Sequence, residues 1–170
     1  TSVICTGHAS LTAGVADCTL TALDFGGARA HVYVSWLNPF KEQKLTVVGT
    51  HGMIVFDDTK PWAEKLRLYR NYLNWADGRT PVPNKSEGEY IKLPEAEPLR
   101  EECTHFLNCC KTRQSPRTDG VEGLRVLQVL AAAQQSLEQH GNAVDINQVD
   151  SNLDYFAHST AVVAPSAKIG

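Results

Sequence analysis

The sequence has no run of about 18 apolar residues, so it offers no candidate for a membrane-spanning helix. It has no excess of basic residues either: 16 Lys and Arg stand against 19 Asp and Glu, and they are scattered, so nucleic acid is given no basic face to bind. It has no CxxC pair. Its five cysteines, Cys5, Cys18, Cys103, Cys109 and Cys110, are an odd count in apolar surroundings, which argues against a disulfide framework or a zinc site. They read as reduced, mostly buried thiols of a cytoplasmic protein. There is no G-x-G-x-x-G turn, because Gly26-Gly27 and Gly49…Gly52 open no helix, and so no dinucleotide-binding fold is signalled. No signal peptide is recognisable. Position 1 is Thr rather than Met, and residues 1–3 already read as a strand, so the chain is expected to begin inside a larger protein.

What is present centres on residues 28–58, ARAHVYVSWLNPFKEQKLTVVGTHGMIVFDD. Residues 28–37, 44–49 and 53–56 are apolar runs rich in β-branched and aromatic residues, broken by Pro and Gly, and they predict an antiparallel meander. Before them, residues 3–10 and 15–25 predict two strands, the second turning through Gly26-Gly27. After them, 64–69 alternates as a half-exposed strand, 70–87 reads as a loop and 90–93 as a last short strand.

The period then changes. Leu99, Cys103, Phe106, Leu107 and Cys110 fall on one helical face, with Pro98 in the first turn. Ser115-Pro116-Arg117 breaks that helix, and Thr118 or Asp119 caps a second one. The second helix runs to about Gln139 with Leu124, Leu127, Leu130, Ala131 and Leu137 inside, and His140-Gly141 ends it. Strands first and helices later give an α+β class: a largely antiparallel open sheet with two C-terminal helices packed on one face. Val32, Val34 and Trp36 on one side and Tyr33 and Leu37 on the other make the sheet apolar on both faces. The face without helices is expected to meet another copy of the chain.

Residues 1–145 form this domain, and 146–155 read as a polar linker. In 156–170, Ala157, Val163 and Ile169 recur every six residues. That is the period of a left-handed β-helix, here reduced to its first turns.

Three features together resemble the C-terminal domain of the Gfo/Idh/MocA family of nicotinamide-dependent sugar oxidoreductases: VSWLNPFKEQKLTVVGTHGMIVFDD, EPLREECTHFLNCCKTRQSPRTDGVEGLRVLQVLAAAQQSL, and the order of strands around them. The likeness covers roughly residues 1–140. It is greatest to the branch that oxidises C3 of UDP-N-acetylglucosaminuronic acid for surface-polysaccharide sugars. The tail YFAHSTAVVAPSAKIG is similar to the opening of the hexapeptide-repeat UDP-sugar N-acetyltransferases of the same pathway, which would make the parent a fusion. The resemblance implies NAD or NADP in the parent but none in this chain, because the nucleotide-binding domain, its lysine and the catalytic histidine have no counterpart here. None of His8, His31, His51, His105, His140 and His158 takes the place of that catalytic histidine.

The substrate-side candidates are Trp36, Asn38, Lys41 and Lys44, where the family's strand ends face a sugar nucleotide. An ammonium pairs with a carboxylate or pyrophosphate, and an amide bonds sugar hydroxyls. A buried Trp beside solvated lysines is the plainer reading of the same residues. Arg117, Thr118 and Asp119 precede a helix N-terminus that can meet an anion, though capping alone accounts for them more simply. His51 with Asp57-Asp58 lacks the further ligand a metal needs. Trp62, Tyr69, Tyr72 and Trp75 are better placed to cover a sheet edge than to stack on a ligand.

Overall fold

In a computed structural model, the described residues are 1–70, 73–75, 78–83 and 87–148. The strands are β1 (Ser2–His8), β2 (Cys18–Asp24), β3 (Arg29–Ser35), β4 (Lys44–Gly49), β5 (Gly52–Asp57), β6 (Leu66–Tyr69), β7 (Leu73–Trp75), β8 (Pro81–Pro83) and β9 (Glu89–Tyr90). Helices α1 (Pro98–Thr112) and α2 (Gly120–Glu138) follow, then β10 (Val144–Asp145). Among the described residues every strand pairing is antiparallel, in keeping with the largely antiparallel sheet expected. The single open sheet expected from the sequence is instead two four-stranded sheets, β10-β1-β2-β3 and β4-β5-β6-β9, with a separate β7-β8 hairpin. Pro39 cannot donate to a ladder, and residues 36–43 leave the strand conformation.

The chain divides into two compact units. The first comprises Thr1–Leu37 and everything from Arg117 onward, and the second is Asn38–Pro116. In the first, Gly26 adopts φ +82°, Phe25 N–H donates to the Ala28 carbonyl at 2.9 Å, and the resulting tight turn sets the β2–β3 register. Helix α2 packs on β1. Val3, Ala132 and Val144 are buried there, with Leu23, Ala133 and Ile146 packed against them. Fully burying a valine contributes about 1.5–3 kcal/mol, so this small cluster accounts for much of the unit's cohesion. Ser136, also fully buried, is satisfied on both sides: its Oγ accepts from Cys5 N at 2.8 Å and donates to the Asn142 carbonyl at 2.6 Å. Asp17 holds the β1–β2 connection, with Oδ2 accepting from Ser10 N at 2.5 Å and Leu11 N at 2.7 Å.

The helix ends follow their residues. Pro98 opens α1, Arg113 closes it at φ 58°, and Asp119 caps α2 by accepting from Val121 N and Glu122 N. The helix faces do not follow the leucines. Leu124, Leu127 and Leu130 are exposed, and α2 lies on the sheet through Ala132 and Ser136. Small residues let the helix approach β1 closely, which leaves the larger apolar stripe outward. In α1, Leu99, Cys103, Phe106, Leu107 and Cys110 are likewise exposed, and Cys109 is the buried position. The cysteines are therefore not mostly buried: Cys5 and Cys109 are, Cys18 is intermediate, and Cys103 and Cys110 are exposed, all five as free thiols.

Two elements depart from the sequence reading. β7 and β8 lie within 70–87, which had read as a loop, and β10 pairs with β1 just before the segment that had read as a linker. That segment opens with a 3₁₀ turn at Ile146–Gln148. The hexapeptide period falls on 156–170, outside the described residues.

Candidate functional site

The second unit carries the densest set of charged and aromatic side chains on one sheet face. Side chains on neighbouring antiparallel strands share a face where their residues pair. Lys44 pairs with Asp57, Val55 with Arg67, and Arg67 with Tyr90, so these residues stand on one side with Tyr69. Leu45, Val47, Ile54, Phe56, Leu66 and Leu68 stand on the other. The polar side lines an open cavity of about 260 Å³, whose walls are Lys44, Val55, Asp57, Lys60, Glu64, Lys65, Arg67, Tyr69 and Tyr90.

Two acids organise the rim. Asp58 accepts from Lys65 Nζ at 2.6 Å and from Lys41 Nζ at 3.2 Å. Those two ammonium hydrogen bonds, Lys65's foremost, hold its carboxyl below the ordinary value of 3.8. Asp57 is held below it as well, chiefly by the Thr59 hydroxyl at 2.6 Å and also by the Thr59 N–H and the charges of Lys44 and Lys60. Lys44 Nζ stands 3.9 Å from Asp57. Lys65 further lies over the Trp62 ring, 4.9 Å from its centroid.

Arg67 sits at the centre of the face. Its guanidinium lies 5.1 Å from the Tyr69 ring centroid and 4.9 Å from that of Tyr90, and it donates to the Glu87 carbonyl. Gly88, at φ +79°, lets the 87–90 segment close over it. A β-carbon at Gly88 would meet Tyr69 Cε1 at 2.7 Å and Arg67 Nε at 2.8 Å.

The structure treats the sequence candidates unequally. Lys41 and Lys44 reach neighbouring carboxylates at this rim, and Asn38, half-buried, belongs to the same unit. Trp36, Arg117, Thr118 and Asp119 belong to the first unit. Trp36 is 86% exposed rather than a core residue, with its N–H on the Asp17 carbonyl at 2.8 Å. Asp119's carboxylate already occupies the first-turn N–H groups of α2, which is capping, and Arg117 and Thr118 are exposed beside it. Sequence reasoning missed Arg67, Tyr90, Lys60 and Lys65 and set Tyr69 aside as edge cover. The signal was the alternation of Lys65, Arg67 and Tyr69 along the strand predicted over 64–69. Tyr72 and the Trp75 side chain lie outside the described residues. Among the described residues no group of His, Cys, Asp or Glu is placed to hold a metal, and no helix is long and apolar enough to cross a membrane.

Comparison with known proteins places this architecture. Residues 5–146 match the model of the Gfo/Idh/MocA oxidoreductase family's C-terminal α/β domain. Among solved structures, the fold is similar to UDP-N-acetylglucosamine 3-dehydrogenase GnnA from Acidithiobacillus ferrooxidans, with a TM-score of 0.64 and 20% identity over 81% of this chain. This chain spans 40% of that protein's length. No curated protein matches. With the family model covering most of its residues, the chain belongs to the Gfo/Idh/MocA oxidoreductases and carries their C-terminal α/β domain.

Proposed function

We propose that this chain is the substrate-binding and oligomerisation domain of an NAD(P)-dependent sugar-nucleotide oxidoreductase. Its parent would oxidise C3 of a UDP-sugar uronate in the cytoplasm, for surface-polysaccharide synthesis. The family match over residues 5–146 carries the reading, and the GnnA-like fold accords with it.

The described residues do not fit the cofactor. No glycine-rich turn joins a strand to a helix, and the Asp119 carboxylate fills the N-terminus of α2 where a pyrophosphate would bind. The domain's part is therefore to bind and orient the sugar nucleotide, and Asn38, Lys41 and Lys44 of the second unit are the groups that meet it. The lysines supply charge-assisted hydrogen bonds to a carboxylate or pyrophosphate, and Asn38 bonds sugar hydroxyls.

The test is calorimetric. UDP-N-acetylglucosaminuronate titrated into the chain is expected to bind, and NAD is expected not to. Micromolar NAD binding, or no sugar-nucleotide binding, overturns this division of labour. A second reading, an assembly module that tethers a dehydrogenase to a UDP-sugar N-acetyltransferase, draws on the exposed Leu20, Tyr33, Leu45 and Val47 of the two sheets. Both readings predict self-association through the open sheet faces, and a monodisperse monomer in light scattering overturns that shared element.

A further inference from the structure

We propose that the polar face of the second sheet is an oxyanion site, taking a phosphate or carboxylate group with Arg67 as anchor and Lys60 and Lys44 at its rim. The inference shares Lys44 with the sugar-nucleotide reading but is argued from the geometry of this cavity.

Four cations line the cavity, Lys44, Lys60, Lys65 and Arg67, against two carboxylates, Asp57 and Glu64. Lys65 is taken up by Asp58 at 2.6 Å, whereas Lys44 reaches Asp57 only at 3.9 Å. The surplus charge is thus concentrated in Arg67, Lys60 and Lys44. Arg67 is held in advance: the Tyr69 and Tyr90 rings and the Glu87 carbonyl engage its guanidinium before any ligand arrives. A guanidinium has more donors than that one carbonyl uses, and its fork matches the two oxygens of a carboxylate or phosphate. Side-chain ordering is a main cost of binding, and here it has already been met in the free protein. The Tyr69 and Tyr90 hydroxyls add neutral donors suited to the same oxygens.

Size narrows the ligand. About 260 Å³ falls just below the roughly 300–1,000 Å³ of pockets that enclose a whole small molecule. The site therefore grips the anionic end of a ligand and leaves the remainder in solvent.

The experiment is an amide-resolved NMR titration of the whole chain with inorganic phosphate, pyrophosphate and acetate at fixed ionic strength. Saturable shifts at Lys60, Arg67, Tyr69 and Tyr90 are expected, and the rank order of probes tells a phosphate site from a carboxylate site. Arg67→Gln is expected to weaken binding about tenfold or more, since it removes a charged hydrogen-bonding partner. Arg67→Lys keeps the charge without the fork and is expected to fall between the two. Lys60→Gln, an exposed rim change that leaves the stacked core intact, is expected to weaken binding about threefold. Shifts absent for all three anions, or affinities equal in the parent chain, Arg67→Gln and Lys60→Gln, overturn the proposal. No sugar nucleotide or NAD enters this titration, so its failure leaves the calorimetric test above standing.

Discussion

The two units are held together by different means. In the first, a helix lies on a strand over a small apolar cluster, and a buried serine takes one hydrogen bond from the strand and gives one to the segment that follows the helix. In the second, Cys109 is the one buried residue among those described, and the polar sheet face is tied by ion pairs and rings stacked on cations. Exposed ion pairs contribute at most about 1 kcal/mol each, and apolar burial contributes more. The first unit is therefore the stable framework. The second presents chemistry on one face and apolar residues such as Leu45 and Val47 on the other.

The contrast is most easily broken by core substitutions. Val3→Ala is expected to cost about 2–3 kcal/mol in denaturant unfolding, while Leu45→Ala, at a position 61% exposed, costs less than about 1. Equal costs would show that the second sheet has a core of its own in solution. Ser136→Ala leaves the Cys5 N–H buried without an acceptor and is expected to cost about 1–3 kcal/mol. Its effect should appear as faster hydrogen exchange along β1 with β5 unchanged.

Within the second unit, Gly88→Ala meets both a positive φ and two side chains under 3 Å away. A loss of about 1–2 kcal/mol is expected, together with displaced Tyr69 and Tyr90 ring resonances in NMR. The smallest effect is acid sensitivity. Asp57 and Asp58 are held below 3.8, so they favour the folded state above that value, and their contribution disappears as pH falls through their lowered pKa values. Stability should be flat down to about pH 4 and decline below it, and Asp58→Asn should flatten that decline.

Local chemistry made part of this legible. Two glycines announced the β2–β3 hairpin, and Pro98 and Asp119 announced the helix starts, because each acts within a few residues. β7–β8 was hidden because Pro81 and Pro83 argue against a strand, yet in a two-stranded ribbon a proline can face away from the ladder. β10 is two residues long and carries no period. The helix faces misled because periodicity finds an apolar stripe without saying what covers it, and α2 has a second contact surface in Ala132 and Ser136. At the candidate site, Lys41 and Lys44 stand out in the sequence as cations next to a turn, and the structure pairs them with Asp58 and Asp57. Arg67 and Tyr90 do not stand out, because their partnership depends on a pairing between strands far apart in the chain.

The bond from Cys5 N–H to Ser136 also bears on the ribosome. Its two ends are 131 positions apart, and all of Asn38–Pro116 is made between them. The first hairpins must wait, half covered, until α2 has been translated, so synthesis order and folding order cannot coincide. A nascent chain stalled before residue 117 would present β1 with its inner face bare, a state that chaperones recognise.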